Sequence, residues 1–142
     1  MTDLAAIIDG FFNGGAVPAN LYVGLVSSNN FSAYSPTTDT MGSHAGWEEF
    51  EDYTEATRPV WTPGTTIDGS PASVSNPGMA TFTPDANGTI VGIFLCDNST
   101  IGGATGQLYG PWPLADGAQP AVIGIKFKAT ARISLRSNTP VS

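Results

Sequence analysis

Charged side chains are scarce in this sequence. Asp, Glu, Lys and Arg make up 12% of its 142 residues, which is about half of the usual share in a globular domain. A monomeric protein normally carries a charged, hydrated surface, so a surface this poor in charge suggests extensive contact with other protein molecules. A monomer whose surface consists mainly of Ser, Thr, Asn and Gly is the alternative.

Positive charge is the scarcest kind. Five Lys and Arg residues stand against twelve Asp and Glu residues, which gives a formal net charge of -7. Binding of a nucleic acid, which is a polyanion, requires a clustered excess of Lys and Arg. We therefore expect no nucleic-acid partner.

Long apolar runs are missing as well. The chain begins Met1-Thr2-Asp3, and the short apolar stretch that follows is interrupted by Asp9 and Gly10. It lacks the basic leading residues of a signal peptide and the roughly eighteen apolar residues of a membrane helix. We expect synthesis in the cytoplasm and no membrane partner.

Cysteine and histidine, which are common nucleophiles, bases and metal ligands, occur once each. Cys96 is the single cysteine and lies in an apolar run, which indicates a buried, inert thiol. The single histidine, His44, has no neighbouring Ser or Cys in a nucleophile motif, and one Cys with one His cannot complete a zinc site. The glycine-rich stretch 102–106 lacks the Lys-Ser/Thr ending of a phosphate-binding loop. We therefore expect no enzyme, with no catalytic residue, metal or cofactor.

Strand patterns dominate what is present. The run 21–26 is rich in strand-forming residues, and turns containing Gly, Pro and Asn recur about every ten residues. From Ile123 to Leu135 every second residue is apolar, which predicts one thirteen-residue strand with a buried face. Residues 27–46 are polar and without a period, which predicts a long surface loop.

One short helix is predicted at the N-terminus. Thr2 or Asp3 provides a cap, apolar residues follow at helical spacing, and Asn13-Gly14-Gly15 ends the helix. Together these patterns predict a single all-β domain over residues 1–142. Its expected architecture is an antiparallel β-sandwich, or a jelly-roll or barrel-like relative of one, with this single helix.

The few charges are segregated along the chain. On the predicted last strand, the positions between the apolar ones hold four of the five basic residues, while segment 46–55 holds five of the twelve acidic ones beside three aromatic residues. Complementary contacts between copies of a protein, or with an acidic partner, use such patches. The alternatives are pairing within one subunit, protection of an edge strand, a cation site, or a glycosidase carboxylate pair.

Candidate interface residues follow from this segregation. The basic ones are Lys126, Lys128, Arg132 and Arg136, the acidic ones are Glu48, Glu49, Glu51 and Asp52, and the aromatic ones are Trp47 and Trp61. If Trp47, Tyr53 and Trp61 are exposed beside loop 27–46, they form a face suited to carbohydrate.

The order of these features resembles a known class over nearly the full length of the chain. The resemblance is carried by residues 21–26 after a short helix, 39–47, 53–58, 75–82, 90–95 and the closing strand. These features resemble those of small bacteriophage virion proteins of the tail-fibre-like and capsid-associated β-sandwich type. That class has no active-site residues to carry over.

The resemblance implies a structural protein of the virion, made in the host cytoplasm, whose partners are copies of itself and the major capsid protein or tail proteins. A capsid decoration or cement protein is our first expectation, because a fibre usually needs a long shaft or coiled coil and no heptads are present. The alternative is a tail fibre or tail-tip component that binds a host receptor or glycan.

Overall fold

The regular elements that the structure describes are antiparallel β-strands. The computed structural model describes residues 10, 12–15, 18–35, 38–69 and 72–135. Its strands are β1 (Leu21–Ser27), β2 (Glu48–Phe50), β3 (Val60–Trp61), β4 (Ala72–Ser75), β5 (Ala80–Phe82), β6 (Gly88–Cys96), β7 (Leu108–Pro113), β8 (Gln119–Ala121), β9 (Phe127–Ala129) and β10 (Arg132–Leu135). The prediction of an all-β antiparallel fold is confirmed. The predicted N-terminal helix falls mainly on residues 1–9 and 11, outside the described residues.

The main sheet has the order β2-β1-β6-β7. Strand β1 pairs with β3 through its first residues and with β2 through its last residues. On its other side, β6 pairs with β8 through its first residues and with β7 through its last residues. The second halves of β1 and β6 are buried without interruption, because both faces of these central strands are covered. Pro111, Pro113 and Pro120 lie on the outer strands β7 and β8, where a residue without an N–H protects a sheet edge from further pairing.

One face of the main sheet packs against two consecutive two-stranded sheets, formed by residues 72–82 and 127–135, which we together call the ribbon. In the ribbon, β5 pairs with β9 and β4 pairs with β10. The buried core between the two layers contains Val23, Leu25 and Leu95 from the sheet and Phe82 and Ala129 from the ribbon. This contact supplies the larger of the two apolar clusters and holds the ribbon on the sheet.

The other face of the main sheet is covered by the loop that follows β1. Met41 and Trp47 from this loop pack with Val26, Phe94 and Leu108. The predicted surface loop is therefore anchored to the sheet through its last third. Gly24 makes this packing possible, because a Cβ atom there would lie 2.0 Å from the Phe94 ring.

The predicted thirteen-residue strand over 123–135 is wrong. Residues 122–125 form a turn in which the Ile125 N–H donates to the Val122 carbonyl over 3.0 Å, and Gly124 has a φ of +75°. Ile123 and Ile125 are 58% and 64% exposed instead of buried. The left-handed conformation of Gly124, which glycine adopts without steric cost, ends the extended run before Phe127.

A second break in the predicted strand separates β9 from β10, and the Asn76 side chain forms hydrogen bonds with the backbone there. Its side-chain amide donates to the Ala129 carbonyl over 3.2 Å and accepts from the Ala131 N–H over 2.8 Å. Asn76 is buried, so both backbone groups find their partner away from water. The alternation predicted from sequence survives the break, because Ala129 and Ala131 are buried while Lys128 and Arg132 are exposed.

Candidate functional site

The predicted basic residues lie together on the ribbon. Lys126 precedes β9, Lys128 lies within it and Arg132 begins β10, and all three are exposed. None of them forms an ion pair with a carboxylate among the described residues. Arg136 lies outside the described residues. We call Lys126, Lys128 and Arg132 the basic edge.

An exposed apolar turn adjoins the basic edge. Val122, Ile123 and Ile125 are all exposed, and Lys126 follows directly in the chain. The turn is held in place by hydrogen bonds from the Ile123 N–H to the Asn87 side chain and from the Gly124 N–H to the Pro84 carbonyl. Exposed apolar side chains next to charge are typical of protein contact surfaces.

The acidic candidates divide into two groups. Glu48, Glu51 and Asp52 are exposed, whereas the Glu49 side chain is only 7% exposed and pairs with Arg58. Two nitrogens of the Arg58 guanidinium donate to the two Glu49 oxygens over 2.8 and 2.6 Å. Glu49 is therefore used inside the domain rather than on the predicted interface.

Arg58 is the one basic residue outside segment 126–136, and no pattern in the sequence indicated a role for it. It is 1% exposed and also donates to the carbonyls of Asn98, over 2.7 Å, and Gly103, over 3.3 Å. Burial by itself lowers the pKa of Arg58, but the hydrogen bonds and charge of Glu49 outweigh it, so the pKa is raised and the guanidinium stays charged. The pair joins β2 to the loop after β6.

The expected exposed aromatic face is absent. Trp47, Tyr53 and Trp61 are 1%, 5% and 7% exposed. The indole N–H of Trp47 donates to Asp39 over 2.8 Å, and that of Trp61 donates to the Ala131 carbonyl over 3.1 Å. All three rings are core residues, and the two indole N–H groups are satisfied, whereas the buried Tyr53 hydroxyl has no hydrogen-bond partner among the described residues. The prediction of exposed aromatics is therefore wrong.

A groove of about 580 Å³ lies on the loop-covered side of the main sheet. The His44 ring stacks on Trp47 with ring centres 3.9 Å apart, and Glu48 and Glu51 line the groove beside it. Burial first, and then the neighbouring carboxylate of Glu49, raise the pKa of Glu51. We call this feature the acidic groove, and carboxylates and an imidazole are the groups that it offers to a ligand.

Cys96 lies near Arg58 and is fully buried. Its thiol donates to the Asn98 carbonyl over 3.2 Å, and burial raises its pKa. The prediction of a buried thiol is confirmed. A thiol with a raised pKa has little thiolate character.

The described residues contain no group of three or more His, Cys, Asp or Glu side chains placed to hold a metal ion. Within the same part of the chain, no helix has the length and apolar character needed to cross a membrane. No protein-family model matches the sequence, and no curated protein matches it.

Proposed function

We propose that this protein is a structural component of a bacteriophage virion, and that it decorates or cements the capsid through contacts with copies of itself and with the major capsid protein. The observation that supports the proposal is the distribution of charge on the surface. The basic edge lies on the ribbon, on one side of the main sheet, and the acidic groove lies on the other side. Opposite charges on opposite sides suit repeated head-to-tail contacts.

Two further features support an assembly role. The three residues of the basic edge form no ion pair with a described carboxylate, and only Lys126 lies near enough to an acidic residue, Glu55, to lower its pKa, so most of their charge is available to another molecule. The apolar turn beside them adds surface that is unfavourable to leave in water. The main sheet and the ribbon also support the antiparallel β-sandwich that we propose as the architecture.

Charge reversal tests the proposal in particles of the phage that encodes the protein. Changing Lys126, Lys128 and Arg132 together to Glu should abolish incorporation, measured by mass spectrometry of purified particles. The matched control exchanges Lys for Arg and Arg for Lys at the same positions and should be incorporated normally. Normal incorporation of the reversed variant, with an unchanged circular dichroism melt, would refute the electrostatic contact. Cryo-electron microscopy of the particles should place the protein at regular capsid positions.

The acidic groove favours a second candidate, a tail component that binds a host glycan. Sugar hydroxyl groups donate hydrogen bonds to carboxylates, and sugar rings stack on aromatic or imidazole rings, which Glu48, Glu51 and His44 provide. A glycan array should then show binding that His44→Ala and Glu51→Gln each weaken at least about tenfold. An array without any binding, together with normal phage adsorption by His44→Ala particles, would eliminate this candidate.

A further inference from the structure

The outer edge of strand β9 is open. The Thr83 N–H donates to Glu55 over 2.9 Å, and the Thr83 carbonyl accepts from the Thr54 N–H over 2.9 Å, so the backbone of Thr83 points away from β9. Backbone groups of successive strand residues point to alternate sides. Those of Phe82 and Ala80 therefore point toward β9, where they pair with Phe127 and Ala129.

The contacts of Asn76, which lies between β4 and β5, show the backbone orientation of the strand that contains β9. Its amide contacts the Ala129 carbonyl and the Ala131 N–H, so these two residues also point toward β5 and β4. Lys128 and Thr130 must then direct their N–H and carbonyl groups away from β5. No hydrogen bond to either backbone joins them to another described residue.

A groove of about 380 Å³ runs along this edge. Four consecutive residues, 127–130, line one side, and the buried Ile93 and half-buried Leu114 lie across from them. Because successive side chains of a strand point to opposite faces, a groove that touches four in a row must follow the strand edge. Asp116 and Gln119 also line the groove, so it combines an unpaired backbone with a lining that is partly apolar and partly polar. An unpaired backbone and pockets for alternate side chains are the two requirements of strand addition.

A complementary edge exists on the same chain. Strand β2 is the outermost strand of the main sheet at its end. The Val23 N–H donates to the Pro59 carbonyl, on the side of β1 where β2 and β3 lie. Because backbone groups alternate in direction along a strand, the N–H and carbonyl of Leu25 point to the same side, toward Phe50 of β2. The backbone groups of Glu49 consequently point outward.

We propose that β2 of a second copy pairs with the open edge of β9, so that copies join head to tail by strand addition. This inference rests on the proposed assembly function and names its partner. Charge complementarity identifies the occupant, since the three residues of the basic edge outnumber the one groove carboxylate, Asp116, and exposed carboxylates flank β2. With Glu49 of one copy opposite Lys128 of the next in antiparallel register, Glu51 lies opposite Lys126. A contact between two different surfaces repeats and builds rings or lattices.

Two substitutions at Lys128 separate backbone pairing from charge. Lys128→Thr removes the charge and keeps the N–H, whereas Lys128→Pro removes both. The Lys128 N–H takes no part in the β5–β9 ladder, so proline there leaves that ladder intact. Sedimentation velocity over a concentration series should show self-association by the unchanged chain, and Lys128→Pro should associate at least about fivefold more weakly than Lys128→Thr. If Lys128→Pro does not fold, Thr130→Pro against Thr130→Val makes the same comparison.

Mixing two variants tests whether the occupant is a second copy. A chain with Lys126→Glu and Lys128→Glu, and a chain with Glu48→Lys and Glu51→Lys, should each lose self-association because both of their edges then carry the same sign. Mixed together, they should associate again, because β9 of the second chain meets β2 of the first with the original charges and β9 of the first meets β2 of the second with both charges reversed.

A chain that stays monomeric at every concentration, equal association by Lys128→Thr and Lys128→Pro, or no recovery on mixing would each overturn strand addition between copies. The proposed function is tested separately by incorporation into particles. Loss of incorporation by the charge-reversed chain, combined with a monomeric unchanged chain, would refute this inference alone and point to another virion protein as the partner.

Discussion

Replacing Arg58 by methionine should destabilise the protein strongly, because it leaves the Glu49 carboxylate buried without its counter-ion. The Arg58 side chain is completely buried, and the Glu49 side chain is 7% exposed. The variant loses two charge-assisted hydrogen bonds between these residues, of 2.8 and 2.6 Å. Methionine is flexible and apolar, so it can fill the space beside Phe94 without adding a new polar group.

The expected loss follows from burial. Removing one partner of a buried ion pair costs about 3–5 kcal/mol. For a chain of this size about 2–4 °C of melting temperature corresponds to each kcal/mol, so the melting temperature should fall by about 6–20 °C. The Asn98 carbonyl loses its 2.7 Å bond to Arg58 as well, which favours the upper part of the range.

Urea unfolding followed by circular dichroism measures this loss, and a double variant provides the control. Adding Glu49→Met to Arg58→Met removes the unpaired charge, and replacing a whole buried pair by apolar residues is often neutral. The double variant should therefore be at least about 2 kcal/mol more stable than Arg58→Met alone. A loss below about 1 kcal/mol for Arg58→Met, the range of exposed pairs, would refute the reasoning. So would a double variant no more stable than the single one.

Two further predictions concern Asn76 and Glu55. Asn76→Ala should lower the free energy of unfolding in urea by about 2–5 kcal/mol, because it leaves two buried backbone groups without partners. The control Asn87→Ala removes one exposed hydrogen bond and should lower it by less than about 1 kcal/mol. Equal losses would contradict this prediction. At Glu55, burial raises the pKa, but hydrogen bonds from Thr83 outweigh it and lower the pKa below its ordinary value. The stability that Glu55 adds is therefore present above the unfolded pKa and lost as pH falls through the folded pKa. The stability difference between the unchanged chain and Glu55→Gln should shrink over that range, and a difference independent of pH would contradict it.

The fold class was predictable because it depends on short-range patterns. The run of strand-forming residues at 21–26 became β1, and the turn at 85–88 leads directly into β6. Alternation along the last segment correctly marked Lys128 and Arg132 as exposed and Ala129 and Ala131 as buried. Side-chain polarity repeats every second residue in any extended backbone, so these features needed no knowledge of the tertiary structure.

Most of the candidate site was not predictable in this way. The sequence showed an acidic segment but not that Glu49 pairs with Arg58, because that pair also depends on the loop that carries Asn98 and Gly103. It showed Trp47 and Trp61 beside polar residues but not that a distant strand and loop cover them. The open backbone of Lys128 became visible only from the partners of Thr83 and Asn76.

Composition and alternation alone were enough to predict antiparallel strands, a surface with little charge and basic residues that alternate with apolar ones. The position of the break in the last strand, the identity of the buried carboxylate and the location of the open strand edge became known only from the fold. The physical reason is that alternation and composition are properties of neighbouring residues. A turn at Gly124, an ion pair at Arg58 and an unpaired edge at β9 depend on backbone conformation and on groups distant in the chain.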